Sequence, residues 1–180
     1  IKENKLQGKE YKDFLKALDK EVLKVTEDAT VTTSRALLDL FKNQSSFAMK
    51  NLDSGIGTIW RVQAPPRRIA EDIVVNKQLY MGKTISDAWK TIGANERVRI
   101  DGIIRKGIAE GLTEKAIADT VAKSVYGITK NHARGLVVTT TTSVAAQADQ
   151  QVYMANAKAI QGYQYVAVMD SRTTPLCSHL

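Results

Sequence analysis

The sequence predicts a mainly α fold with a small β element, an α+β chain in which helix dominates. A helical N-terminal region is expected over residues 1–64, then over 65–180 a helical domain with one long small-residue helix and a short C-terminal strand or hairpin. Three observations carry this expectation. Apolar residues recur at steps of three and four along most of the 180 residues, which places them on one stripe of a helix. Pro65-Pro66 is the strongest punctuation in the chain, since proline holds its predecessor extended and is tolerated only in a helix's first turn. After Gly162 the period changes from three or four to two, the signature of a strand.

Taken in order, Tyr11, Phe14, Leu15, Leu18, Val22 and Val25 form the first apolar stripe, with Lys12, Lys16, Asp19, Lys20 and Glu21 on the other faces. A second helix is expected from near Ser34 through Leu37, Leu38, Phe41 and Ala48 to Leu52, ended by the Asp53-Ser54-Gly55-Ile56-Gly57 break. Beyond the two prolines, Arg67 to Val75 starts a new element. Thr84 or Ser86 then caps a helix that places Asp87 near the positive end of its dipole. Its apolar candidates are Ala88, Trp89, Ile92, Val98, Ile100, Ile103 and Ile104, and Gly93 is a candidate kink. Thr113 caps a short helix with Glu114 in its first turn and Ala116, Ile117, Val121 and Ala122 inward. A longer helix follows from about Lys130 to Ala159, its inward stripe being Ala133, Val137, Thr140, Val144, Ala148, Val152, Ala155 and Ala159. Small residues on that stripe let a neighbouring backbone approach closely. The strand is Tyr163 to Met169, and Asp170 to Pro175 turns the chain.

The charge is +7, with 26 Lys and Arg against 19 Asp and Glu. Residues 61–126 hold 12 of the basic and 8 of the acidic groups, against 10 and 9 for residues 1–60. The middle is therefore the basic part, and Arg61, Arg67, Arg68, Arg97, Arg99, Arg105 and Lys106 are the candidates for contact with a polyanion. No apolar run approaches the roughly 18 residues of a membrane span, so no membrane is expected. One cysteine, Cys177, excludes an internal disulfide.

Cys177 and His179 have zinc-ligand chemistry, but two ligands fall short of the usual four, and neither a metal nor any cofactor is expected. No phosphate loop, HExxH motif or dinucleotide turn appears, and the chain does not read as an enzyme. Asp170 and Arg172, at the end of the strand, suit an Asx-turn braced by a guanidinium. A helix-turn-helix over residues 112–132 is the alternative reading, with a recognition helix from Ser124 into Asn131.

The last 80 residues resemble the phage head-morphogenesis family, the minor capsid proteins of the Mu F type. Gly111-Leu112-Thr113-Glu114-Lys115-Ala116-Ile117 matches the family's helix start, and Arg134 to Ala146 its long helix. Tyr163 through Asp170-Ser171-Arg172-Thr173-Thr174-Pro175-Leu176-Cys177 matches its strand and Asp-x-Arg-Thr-x-x-x-Cys turn, the most specific of the three. Asp170, Arg172, Thr173 and Cys177 are its structural motif. Two departures stand out. Thr140-Thr141-Thr142 occupies the place of the family's Arg-Thr-Glu, and the chain stops at Leu180, before the glycine that commonly follows. With Ile1 in place of a starting Met, that stop reads as a truncated C-terminus.

The resemblance implies a virion component. Copies would enter the procapsid from the host cytoplasm during assembly and lie in the capsid interior at or near the portal, as a homo-oligomer around it. They would contact portal protein, other capsid proteins and packaged double-stranded DNA without sequence preference, and aid assembly or DNA ejection.

Overall fold

The computed structural model describes residues 8–56, 60–160 and 162. The described chain is mainly α: α1 is Gly8–Ile56, α2 Arg67–Glu71, α3 Ile85–Ala109 and α4 Glu114–Ala155. A single wide helical turn, Asp72–Asn76, continues α2. Among the described residues there is no strand, only one bridge between Tyr80 and Lys83. Met81 (φ 46°) and Gly82 (φ 70°) close that bridge, both left-handed as a two-residue hairpin turn requires. The strand expected over 163–169 lies outside the described residues.

α3 and α4 form an antiparallel hairpin about 40 Å and 60 Å long at 1.5 Å per residue. α1 runs along its whole length. Hydrogen bonds and ion pairs from Tyr11 to Asp101, Asp19 to Arg97 and Thr33 to Trp89 set α1 antiparallel to α3. Gln44 bonds Asp149 at 2.9 Å, and Phe14 and Leu18 share an apolar cavity with Ile117 and Val121, so α1 and α4 are parallel.

Two pairs of expected helices are single helices. Residues 8–56 contain no proline and no glycine between Gly8 and Gly55. The threonines that weaken the middle are accommodated, because the Thr26 and Thr30 hydroxyls donate to the carbonyls of Leu23 and Thr26. Likewise α4 begins at the expected Thr113 cap, whose hydroxyl accepts from Ala116 N at 3.3 Å, and continues without a turn to Ala155. Gly127 costs such a helix about 1 kcal/mol, which 42 residues packed on two neighbours offset.

The α1 stripe also shifts. Thr26 is buried and Val25 is 63% exposed, because the face toward α3 passes through Val22 and Thr26, where Gly93 lets the helices close. Gly93 is thus a contact point inside α3 and not a kink. Thr84 is the α3 cap, accepting from Asp87 N, and Val98 of the expected stripe faces solvent.

On α4 the fully buried residues are Leu136, Thr140, Val144, Ala148, Val152 and Asn156, with Leu136 inward in place of the expected Val137. Steps of four advance a stripe by about 40° each around an α-helix, so the buried face turns by roughly half a revolution over this run. Its partners change accordingly. Leu136 meets Ala88 and Ile92 of α3. Val144 and Ala148 meet Leu37, Phe41, Ile73 and Val74, and Asn156 meets residues 60–63. The core therefore draws residues from both sides of Pro65-Pro66.

Candidate nucleic-acid interface

The seven cations singled out by sequence separate into two groups. Four make ion pairs within the bundle. Arg97 Nε lies 2.8 Å from Asp19, Arg105 Nε 2.9 Å from Asp101, and Lys106 3.8 Å from Glu110. Arg99 pairs with the buried Glu96 one turn before it. These pairs belong to the α1–α3 seam and the α3 surface.

The seam explains its own electrostatics. Tyr11 donates its hydroxyl to Asp101, and the Arg105 guanidinium carbon stands 5.4 Å from the centre of the Tyr11 ring. The Tyr11 bond, aided by Arg105, holds the Asp101 carboxyl below the usual aspartate range against its partial desolvation. Desolvation, and then the same carboxylate, push the Tyr11 hydroxyl above the usual tyrosine range.

Arg61, Arg67 and Arg68 form the second group. All three are exposed, and among the described residues none makes an ion pair. They stand on the segment that leads from α1 into α2. Residues 60–83 carry five basic and two acidic side chains, and exposed Lys158 lies just beyond α4. The sequence-predicted cations are thus not one continuous surface.

The segment bearing these arginines is fixed by Asn156, the residue that ends α4. Its side chain is fully buried, and its amide makes four hydrogen bonds. Nδ2 donates to Gln63 O and to Val152 O, both at 2.8 Å. Oδ1 accepts from Gln63 N at 2.7 Å and from the Trp60 indole at 3.2 Å. Gln63 Nε2 in turn donates to Arg61 O at 2.9 Å. Sequence reasoning missed Asn156, Gln63 and Trp60. The available signal was an asparagine just past an alanine-rich helix, a common helix-ending residue.

Asp170, Arg172, Thr173, Cys177 and His179 lie outside the described residues. Among the described residues no group of three or more His, Cys, Asp or Glu is placed to hold a metal, and no helix is long and apolar enough to cross a membrane. The helix-turn-helix reading of 112–132 needs a turn between two helices, and the backbone is helical without interruption from Glu114. Comparison with protein families, curated proteins and solved structures finds no match.

Proposed function

We propose that this chain is a phage minor capsid protein of the head-morphogenesis kind, held inside the head at or near the portal, where it contacts packaged DNA and aids assembly or ejection. The observation that carries this reading is the sequence Asp170-Ser171-Arg172-Thr173 with Cys177 four residues on, placed after a long helix with a small-residue face. In this reading residues 65–180 form the head-morphogenesis unit, residues 163–169 are its strand, and Asp170 and Arg172 brace the turn. The role is structural and not catalytic.

Two features support it further. Arg61, Arg67 and Arg68, which make no ion pair among the described residues, suit non-specific contact with phosphates, which needs charge and no base readout. The long α1 that lies along the α3–α4 hairpin offers an extended surface to portal and capsid neighbours and to further copies.

The test is location. In cells producing the phage that encodes it, the tagged chain is expected in purified procapsids and in complexes recovered with portal protein. Asp170→Ala and Arg172→Lys should lower both its melting temperature and its incorporation into heads. A chain recovered only free of heads and portal overturns the reading, and turnover abolished by Cys177→Ser would replace it with an enzymatic one.

A further inference from the structure

We propose that Asn156 is a positioning residue for the DNA contact: by clasping Gln63 and Trp60 to the end of α4, it fixes the segment that carries Arg61, so that Arg61 joins Arg67 and Arg68 of α2 on one pre-organised frame for the phosphate backbone of duplex DNA. This rests on the DNA contact in the reading above. Residues 61–66 belong to no helix, and Pro65 and Pro66 have no N–H to donate. Among the described residues, the backbone hydrogen bonds that tie residues 61–65 to the rest of the molecule are the two that Gln63 makes with Asn156. Trp60 on one side of Arg61 and Gln63 on the other are both held by the same amide. Pro66 then leads directly into α2, where Arg67 and Arg68 are the first two residues.

The amide itself is not a DNA contact. Both of its donor positions and both acceptor positions are filled from within the chain, and the residue is fully buried. Its effect is transmitted through order. A guanidinium on an untethered linker loses conformational freedom when it binds, and the same group on a fixed frame loses less. Arg67 and Arg68 already stand on α2, whose Ile69 and Ala70 pack on the core, and the clasp adds Arg61 to that frame. Duplex DNA offers one charge per about 1.7 Å of axis, so a frame that holds several cations engages several phosphates at once.

The experiment measures the salt dependence of binding to a mixed-sequence 30-base-pair duplex for the full chain and for Asn156→Ala, well below the melting temperature of either. Each phosphate contact contributes about 0.9 to the slope of log affinity against log salt, so Asn156→Ala, which frees the segment of Arg61, should lower the slope by up to about 0.9. A residue that merely supports the fold would leave the slope of the folded protein unchanged. Trp60→Phe keeps an aromatic ring and deletes one of the clasp's four bonds; it should weaken binding in the same direction with less effect on folding, and it decides the matter alone if Asn156→Ala does not fold. An unchanged slope in the folded variants, with the triple variant Arg61→Ala, Arg67→Ala, Arg68→Ala still lowering it, overturns the positioning role and leaves the DNA contact standing. A wild-type chain that does not bind the duplex at low salt overturns both, and equal binding to anionic lipid vesicles, with none to the duplex, reassigns the arginines to a membrane surface.

Discussion

The side-chain amide of Asn156 pairs with the backbone of Gln63 much as a neighbouring strand would, giving one N–H to its carbonyl and taking one from its amide, at 2.8 and 2.7 Å. The two residues are 93 apart in sequence, so this contact joins the exit of α1 to the exit of α4. It also satisfies a buried helix end, because Asn156 Nδ2 serves the Val152 carbonyl that has no further turn of helix to bond it.

Asn156→Ala is expected to cost at least about 1–3 kcal/mol, the range for a buried polar group stripped of its partner. Asn156→Asp should be worse at neutral pH, since its second oxygen would face the carbonyls of Gln63 and Val152 in place of a donor. That disfavours the charged carboxylate in the folded state and raises its pKa there, so the extra loss relative to wild type should be full at pH values above the raised folded pKa, shrink as pH falls toward the ordinary aspartate value near 4, and be largely gone below it. Urea melts of the three proteins at pH 7 and pH 4 check both statements.

The glycines of α3 give a second prediction. A Cβ at Gly93 would stand 2.5 Å from Thr26 Cγ2 and 2.9 Å from Val22 Cγ1. Both partners are β-branched, and the Thr26 hydroxyl is committed to Leu23 O. A Cβ at Gly107 meets Ile117 Cγ1 at 2.5 Å, but Ile117 borders an apolar cavity of about 400 Å³ into which it can turn. Gly102 has nothing within 4 Å. Alanine in a helix interior gains up to about 1 kcal/mol over glycine, and overpacking costs about 1–3 kcal/mol. The expected order of melting temperatures is therefore Gly102→Ala above wild type, Gly107→Ala near it, and Gly93→Ala lowest.

The helical class, the Thr84 and Thr113 caps and most of the inward residues of α4 were legible because they are local. A cap needs one hydroxyl three residues before an N–H, and periodicity needs only the residues on one helix. The fusion of the helices was not legible, since threonine-rich and glycine-containing stretches look like breaks until tertiary packing is known to cover them. Nor was the choice of Thr26 over Val25, which depends on α3 supplying a glycine opposite. The division of the cations failed for the same reason: Asp19 lies 78 residues from Arg97, a pairing no window on the sequence reveals. The role of Asn156 was not legible because the groups it clasps, Gln63 and the Trp60 indole, lie 93 and 96 residues away in sequence.

The Tyr11–Asp101 bond predicts a stability plateau with two edges. The Asp101 pKa is lowered by folding, so its contribution is present above the ordinary aspartate value near 4 and is lost as pH falls through the depressed folded value. The Tyr11 pKa is raised by folding. Its contribution is present below the ordinary tyrosine value near 10 and is lost as pH rises through the elevated one. Tyr11→Phe removes the hydroxyl and should flatten the alkaline edge while weakening the acidic one, read from melting temperature between pH 3 and pH 11. An alkaline edge of the same size in Tyr11→Phe would assign it to another group.

The two groups of arginines should respond in opposite ways to the same substitution. Arg67 and Arg68 are exposed, and among the described residues make no ion pair. Arg67→Ala with Arg68→Ala should therefore leave the melting temperature near that of wild type and lower the salt slope of DNA binding by up to about 1.8, at about 0.9 per phosphate contact. Arg97 and Arg105 are committed to Asp19 and to Asp101 with Tyr11. Arg97→Ala with Arg105→Ala removes both pairs and the Arg105 contact with the Tyr11 ring, and should lower the melting temperature slightly. It should leave the salt slope unchanged, because cations already paired within the fold release no counterions from DNA. Since each double variant removes two positive charges, net charge alone predicts equal slopes. Different slopes at equal net charge would locate the contact at the α1–α2 segment, and equal slopes would mean that the chain meets DNA through its overall field.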